Sequence, residues 1–329
     1  MKHITIIAPD TQTNLGTVAC IAGAYEILTR ATQYFKENGS KEMFKIEIAG
    51  LSQNTGLAGG MFSVKTHIHI QNINKTNLII IPSLESFESA QKGNIEIADW
   101  ITKQYKNGSE IATMCSGAFM LASTGLLDGK SCSTHWNYAN KFRALYPNVN
   151  LQPDELITDE NGIYTNGGAY SFLNLVLYLV EKYYDRKTAI FCSKVFQIEI
   201  DRQRQSPFII FKGQKQHSDE MVKEAQAYIE GQLTEKISIE TLSSKFAVGR
   251  RNFDRRFIKA TGNTPIEYMQ RVKVEAAKKA FETTRKSINE IMYAVGYSDL
   301  KAFREVFRKF TGVSPLVYRC KYNKDAVNN

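Results

Sequence analysis

The last third of the chain contains one pattern twice, and this repeat constrains the fold more than any other feature of the sequence. TGNTPIEY, which begins at Thr261, returns as TGVSPLVY, which begins at Thr311. Two phenylalanines spaced four residues apart precede each stretch. They are Phe253 and Phe257 in the first copy and Phe303 and Phe307 in the second. Since residues i and i+4 share one face of a helix, each pair predicts a helix with that face buried.

Each copy also carries the signals that start and stop short helices. A serine suits the N-cap of a first helix, a glycine suits the left-handed residue that ends a second one, and a proline suits the first turn of the next. These residues are Ser238, Gly262 and Pro265 in the first copy and Ser287, Gly312 and Pro315 in the second. Each copy therefore predicts a short helix, a tight turn and a second helix.

This pattern predicts an all-α domain at 218–322 with two helix-turn-helix motifs, at about 238–261 and about 287–311. A long helix at about 265–283 joins the two motifs. Major grooves on one face of DNA repeat about every 34 Å, so two linked motifs can reach successive grooves.

The helix faces opposite the phenylalanines are basic and polar. Arginine pairs with guanine and asparagine with adenine in the major groove, while flanking lysine and arginine contact phosphates. The candidate DNA-binding residues are Arg250, Arg251, Asn252, Arg255 and Lys259 in the first copy and Ser298, Lys301, Arg304 and Arg308 in the second. A helical repeat that binds another protein is the alternative interpretation of the same pattern.

The charge is divided unevenly along the chain. The net charge is +9, yet residues 1–211 hold 19 Lys and Arg against 19 Asp and Glu. Residues 212–329 hold 23 against 14, so the whole excess lies in the repeated part. A neutral block followed by a basic one indicates a polyanion-binding module attached to another domain.

The first part of the chain alternates between strands and helices. Strand-like runs lie at 3–9, 44–50, 77–83, 110–114 and 162–168, and helical runs lie at 18–37, 95–105, 116–124 and 170–184. This alternation predicts a doubly wound, flavodoxin-like α/β domain at 1–200, followed by a linker at 201–217. Ligands of such sheets bind at the carboxyl ends of the strands.

Cys115 is the sharpest local feature of this first domain. It lies where a strand ends and a helix begins, between small residues, which is the geometry of a nucleophile elbow. A helix N-terminus lowers the pKa of a thiol, and His135 follows twenty residues later. Three interpretations stay open: Cys115 lines a ligand pocket, senses oxidants or electrophiles, or acts as a catalytic nucleophile.

Residues 238–319 resemble the DNA-binding domain of AraC/XylS-type transcription regulators. The segment INEIMYAVGYSDLKAFREVFRKFTGVSPLVYR follows that family's signature closely. Gly249 departs from it, because serine or threonine usually caps the recognition helix there. The resemblance implies a promoter-binding transcription regulator with two helix-turn-helix units.

The block IATMCSGAFMLASTGLLDGKSCSTHW resembles the PfpI/ThiJ superfamily, and the order of domains resembles GlxA-type regulators. The resemblance implies a pocket that includes Cys115, Ser116, His135 and Ser83. Pro82 is followed by Ser83 and Leu84 instead of two glycines, and no acidic residue lies between Asp10 and Glu26. An incomplete catalytic set therefore argues against an enzyme. The alternative function is a cysteine-dependent hydrolase or amidase that carries a DNA-binding domain.

The remaining expectations concern location and partners. No apolar run approaches the roughly 20 residues that span a bilayer, and the N-terminus has no signal-peptide pattern. Five cysteines are scattered without CxxC spacing, which suggests neither a disulfide framework nor a zinc site. We expect no metal and no cofactor. We expect a cytoplasmic protein without a membrane partner. The expected partners are double-stranded promoter DNA, a small-molecule effector, a second copy of the chain in a homodimer, and RNA polymerase.

Overall fold

The computed structural model describes residues 1–10, 13–41, 44–85, 94–202, 204–215, 217–235 and 237–323. The chain divides into two units, Met1–Gln205 and Ser206–Asn329. Each unit has hydrophobic clusters of its own. Across the described ranges, no helix is both long and apolar enough to cross a membrane.

A seven-stranded sheet in the order β10-β11-β7-β6-β1-β2-β5 organises the first unit. Its neighbouring strands are parallel, except that β10 runs antiparallel to β11 at one edge. Two small two-stranded sheets, β3-β4 and β8-β9, accompany it. The strands are β1 Lys2–Ile7, β2 Phe44–Gly50, β3 Asn54–Leu57, β4 Phe62–Lys65, β5 Ile68–His69, β6 Leu78–Ile81, β7 Glu110–Met114, β8 Ser131–Cys132, β9 Asn150–Leu151, β10 Ile157–Glu160 and β11 Ile163–Asn166.

Helices cover both faces of this sheet. They are α1 Leu15–Glu37, α2 Ile95–Lys106, α3 Gly117–Ser123, α4 Ala139–Leu145, α5 Phe172–Tyr183 and α6 Arg186–Phe196. Leu78 and Ile80 of β6 face the cluster that α1, α5 and α6 complete. Ile79 and Ile81 face the cluster that α2, α3 and α4 complete. Burial on both faces explains the continuous apolar run of this strand and confirms the doubly wound α/β prediction.

The regular secondary structure among the described residues of the second unit is entirely helical. Its helices are α7 Glu220–Gly231, α8 Ile239–Lys245, α9 Arg250–Thr261, α10 Pro265–Thr283, α11 Ile288–Ala294, α12 Leu300–Thr311 and α13 Pro315–Tyr322. The predicted N-caps are confirmed: the Ser238 hydroxyl accepts from the Thr241 N–H at 3.0 Å, and the Ser287 hydroxyl accepts from the Glu290 N–H at 3.2 Å. The helix pairs α8–α9 and α11–α12 are the two helix-turn-helix copies.

The repeated stretch, TGNTP in the first copy and TGVSP in the second, ends the second helix of each copy in the same way. Gly262 and Gly312 have φ of 69° and 75°, which is the left-handed conformation that ends α9 and α12. The Thr261 hydroxyl donates to the Phe257 carbonyl at 2.8 Å, and the Thr311 hydroxyl donates to the Phe307 carbonyl at 2.8 Å. The repeated stretch therefore ends α9 and α12 and sets the direction in which the next helix begins.

Helix α10 serves both copies. Tyr268, near its start, packs in one cluster with Phe253 and Phe257 of the first copy. Its later residues, including Phe281, pack in a second cluster with the phenylalanines of the second copy. The two copies thus have separate cores on one shared helix.

Candidate functional site

Helices α9 and α12 bury their phenylalanines and expose their polar faces. The two phenylalanine pairs have no exposed surface. All nine candidate DNA-binding residues are exposed, namely Arg250, Arg251, Asn252, Arg255, Lys259, Ser298, Lys301, Arg304 and Arg308. An exposed polar face backed by a rigid apolar one is what a recognition helix requires.

Two of the candidate cations of the first copy already bind side chains within the protein. Arg250 forms an ion pair with Glu240 on α8. The Arg255 guanidinium donates to the Asn252 side-chain oxygen at 3.0 Å. Arg251 makes no ion pair or side-chain hydrogen bond within the described residues. A DNA contact by Arg250 therefore requires that its pair with Glu240 opens or shifts.

The candidate cations of the second copy form no ion pairs within the described residues. Lys301, Arg304 and Arg308 have no acidic partner in the part of the chain that the structure describes. Asp299 caps α12 by accepting from the Ala302 N–H at 2.6 Å. Lys309 lies 3.7 Å from Glu267, so this neighbouring lysine is paired instead.

Arg256 is a cation of α9 with a structural role that the sequence pattern did not reveal. Its guanidinium donates twice to Asp219, at 2.8 and 2.6 Å. Asp219 also caps α7, because it accepts from the Val222 N–H at 3.2 Å. The hydrogen bond and charge of Arg256 lower the pKa of the Asp219 carboxyl. This pair holds α7 against the first copy.

The elbow predicted at Cys115 is present in the first unit. Cys115 lies between β7 and α3 with φ of 53°, a left-handed conformation that costs a non-glycine residue about 1–2 kcal/mol. A Cβ at Gly117 would lie 2.9 Å from the Ile81 carbonyl oxygen, so the close crossing behind the elbow requires glycine. The Thr134 hydroxyl donates to the Cys115 carbonyl at 2.9 Å.

A cavity of about 380 Å³ opens beside this elbow. It brings together the four pocket residues expected from the sequence, Ser83, Cys115, Ser116 and His135. Residues that sequence analysis did not identify complete the lining: Asn14, Leu15, Gly16, Ala19, Cys20, Leu84, Tyr138, Ala169, Tyr170 and Phe172. These residues come from segments far apart in the sequence. The sequence indicated them only indirectly, through the expectation that ligands bind at the carboxyl ends of the strands. No Asp, Glu, Lys or Arg is among the described lining residues.

The acidity of the Cys115 thiol is the opposite of the sequence expectation. Cys115 is 7% exposed, and burial raises the pKa of its thiol to about 12, with the neighbouring Cys20 adding to the shift. Hydrogen bonding by Ser116 lowers the pKa but does not offset burial. The prediction that the helix N-terminus makes this thiol acidic was wrong, because desolvation of the thiolate is the larger effect.

His135 faces the cavity as a neutral side chain. Its Nδ1 accepts from the Asn137 N–H at 3.1 Å, so the proton belongs on Nε2. Burial lowers the pKa of this imidazole. Among the described residues, His135 makes no hydrogen bond to the Cys115 thiol. It caps the short 3-10 helix Trp136–Tyr138.

Both serines of the cavity are engaged in hydrogen bonds within the protein. The Ser116 hydroxyl donates to the Leu84 carbonyl at 2.6 Å and accepts from the Leu84 N–H at 2.9 Å. The Ser83 carbonyl accepts from the Thr17 hydroxyl at 2.8 Å. The Leu84 N–H, which follows β6 where an oxyanion site is expected, is therefore already satisfied within the protein.

Two family models match the chain. The DJ-1/PfpI family matches residues 22–182, and a helix-turn-helix domain matches residues 242–321. A protein of Vibrio parahaemolyticus described as a transcriptional regulator shares the fold, with a TM-score of 0.52 and 24% identity over 59% of this chain and 98% of that one.

Curated relatives carry the names of transcription regulators. The HTH-type transcriptional regulator GbdR of Pseudomonas aeruginosa is 25% identical over 67% of this chain and 60% of its own length, so the chain spans less than two thirds of it. The bifunctional transcriptional activator/DNA repair enzyme AdaA of Bacillus subtilis is 30% identical over 50% of this chain and 84% of its own length. The chain therefore belongs to the AraC-type family of helix-turn-helix transcription regulators, with a DJ-1/PfpI domain ahead of the helix-turn-helix region.

Proposed function

We propose that this chain is a sequence-specific DNA-binding transcription regulator whose helices α9 and α12 bind major grooves of promoter DNA. One observation carries the proposal: eight polar residues, seven of them cationic, are exposed on two helices whose opposite faces are buried by equivalent phenylalanines, and the ninth, Ser298, is exposed just before α12. The nine residues predicted from the sequence are the proposed contacts. The net charge of +9 favours association with a polyanion.

We propose that the N-terminal cavity binds a small-molecule effector. A cavity of about 380 Å³ lies within the usual size range of ligand sites, roughly 300–1,000 Å³. Its described lining carries no formal charge, and His135 offers an Nε2–H donor. These features favour an uncharged effector with an apolar body and one hydrogen-bond acceptor.

The proposed organisation follows the sequence prediction: a sensor or dimerisation domain at 1–200, a linker at 201–217 and a DNA-binding domain at 218–322. The first part carries no net charge over residues 1–211, which suits self-association better than a second DNA contact. RNA polymerase is the proposed further partner at the promoter.

The first experiment is selection of bound fragments from a genomic DNA library by the purified chain at controlled salt. We expect a shared motif with two half-sites about one helical turn apart. Affinity for that motif should fall steeply as salt rises, because bound phosphates release counterions. Recovery of fragments without a shared motif would refute sequence-specific regulation.

A cysteine-dependent hydrolase is the second candidate function, and the strained elbow at Cys115 is the observation that favours it. The raised pKa of the thiol and the engaged Leu84 N–H oppose it. Iodoacetamide at pH 8 should alkylate the exposed Cys320 and leave Cys115 unmodified, as read by peptide mass spectrometry. Rapid alkylation of Cys115 would revive the enzyme, and loss of hydrolysis of amide substrates in Cys115→Ala with retained DNA binding would establish it.

A further inference from the structure

Gln205 is the last residue of the first unit, and its side chain is fully buried. Its Nε2 donates to the Thr134 carbonyl at 2.9 Å, to the Glu155 carbonyl at 3.2 Å and to the Ser133 hydroxyl at 3.3 Å. Its Oε1 accepts from the Trp136 N–H at 3.2 Å. A buried carboxamide with every donor and acceptor engaged is a well-defined anchor.

The segment that Gln205 holds is a wall of the cavity. His135 lies between Thr134 and Trp136, which are two of the three residues whose backbone groups bond the carboxamide. The Thr134 hydroxyl also donates to the Cys115 carbonyl. Gln205 therefore bonds the backbone of the same loop whose His135 side chain lines the cavity.

Gly167 makes room for this anchor. A Cβ at Gly167 would overlap the Gln205 carboxamide and would lie 2.6 Å from the Ser133 hydroxyl. The backbone of Gly167 does not have positive φ, so alanine fits there except for this overlap. The glycine is thus explained by the seat of the glutamine.

The residues that follow Gln205 are anchored within the second unit. Lys278, which is 4% exposed, donates to the Ile209 carbonyl and pairs with Glu275 at 2.8 Å. The Phe211 N–H donates to Glu275 at 3.1 Å. Both partners lie on α10, the helix that joins the two helix-turn-helix copies.

The stretch between Gln205, fixed in the first unit, and Ile209, fixed in the second, therefore stays short only while the Gln205 side chain keeps its hydrogen bonds. Upstream of it, Ile198 and Ile200 pack on the core of the first unit. If the Gln205 bonds and the adjacent Glu155–Arg204 bridge open, the last anchor on the first unit moves back from Gln205 to Ile200, five positions earlier in the sequence. Five residues extend at most about 17 Å, and their mean span as a flexible chain is about 12 Å.

We propose that Gln205 is a latch through which occupancy of the N-terminal cavity sets the length of tether between the two units. An effector that presses on His135 moves the Ser133–Trp136 backbone away from the carboxamide and opens the latch. This inference rests on the proposed function, since it gives the effector its means of control. The coupling is reciprocal, so an open latch also changes effector affinity.

The test measures distances within the full chain, without DNA. Spin labels are placed on the exposed Cys320 and on Glu37→Cys, because the other four native cysteines are buried. Double electron–electron resonance, with excess unlabelled protein to suppress contacts between chains, gives the distance distribution. Gln205→Ala and Gly167→Ala should each broaden the distribution by on the order of 10 Å. Gln152→Ala is the matched control, because among the described residues its carboxamide donates to Asn150 alone, and it should change nothing.

Coupling to the cavity is tested with a cavity-filling substitution. Ala19→Phe places a ring in the cavity as a stand-in for a ligand and should broaden the distribution, whereas Ala19→Ser should not. An unchanged distribution in Gln205→Ala, or broadening in Gln205→Ala without any in Ala19→Phe, would overturn the proposal. Because no DNA is present, either result leaves the fragment selection to decide separately whether the chain is a regulator.

Discussion

The two helix-turn-helix copies of the second unit share their buried residues and differ where their helices begin and turn. Tyr268 donates to Glu230 at 2.7 Å in the first copy, and Tyr318 donates to Glu282 at 2.5 Å in the second. Both tyrosines pack edge-on against the second phenylalanine of their copy. The common frame is therefore set by buried aromatic packing.

The turn and the helix N-cap of the second copy use residues better suited to their backbone conformations than those of the first copy. Its turn uses Gly296 at φ of 75°, where the first copy has Ala247 at φ of 52°. Its helix α12 is capped by the Asp299 side chain, whereas the N-cap of α9 is Gly249, which has no side chain to accept a bond. The first copy is instead held by the Arg256–Asp219 pair. Equivalent buried residues thus impose one fold on two unequal local sequences.

The largest effect should come from the turn of the second copy. A Cβ at Gly296 would lie 2.7 Å from the Leu233 carbonyl and 2.8 Å from the Thr234 carbonyl. We expect Gly296→Ala to lower the free energy of unfolding of the second unit by about 3 kcal/mol, since a left-handed penalty and overpacking add. Urea titration followed by circular dichroism measures this loss.

Gly125→Ala separates the two contributions to that loss. Gly125 has φ of 76° and no heavy atom within 4 Å of an added Cβ, so only the backbone penalty of about 1–2 kcal/mol applies. Equal losses at both sites would show that the contacts around Gly296 are dispensable.

The two copies should also differ in what their arginines contribute to DNA binding. Arg304 has no acidic partner in the described residues, so Arg304→Ala should weaken binding by about 1–3 kcal/mol if the contact is to a base. Arg250 must first leave Glu240, and we expect Arg250→Ala to cost less than about 1 kcal/mol. Gel-shift titration at fixed salt on one operator compares them. A larger loss at Arg250 would show that α9 dominates recognition.

Relief of strain at the turn of the first copy should give a smaller, opposite effect. Ala247→Gly removes a left-handed penalty of about 1–2 kcal/mol and adds about 0.5–1 kcal/mol of unfolded-state entropy. The net expectation is a gain of up to about 1.5 kcal/mol in the free energy of unfolding. Ala302→Gly, at an exposed helical position of α12, should instead destabilise, and a gain at both positions would contradict the explanation by strain.

Elements defined by local pattern were predictable from sequence. The strands 44–50 and 110–114 and the helix at about 265–283 are found at those bounds, because apolar runs, the TG..P stop and the N-cap residues act within a few residues. The short strands β3, β4, β5, β8, β9 and β10 and the helices α4 and α6 were not predicted. The short strands leave too few residues for periodicity to register.

The chemistry of the cavity was less predictable than its position. The elbow at Cys115 follows from its neighbours in sequence, as its φ confirms. The pKa of its thiol does not, because Cys20 on α1 and the walls around Ser83 bury it from distant parts of the chain. The seat of Gln205 against Ser133–Trp136 likewise depends on segments about 70 residues apart.

The smallest expected effect is an exchange of the two N-caps. Gly249→Asp should stabilise the first copy, and Asp299→Gly should destabilise the second, each by a few tenths of a kcal/mol, because glycine is itself an acceptable N-cap. Urea midpoints of both variants and of the double exchange measure the two changes. Nearly cancelling changes would mean that the caps act locally and that the copies are interchangeable frames around their phenylalanines. If Asp299→Gly alone costs more than about 1 kcal/mol, the carboxylate stabilises more than one helix terminus, and the second copy depends on local structure that the first does without.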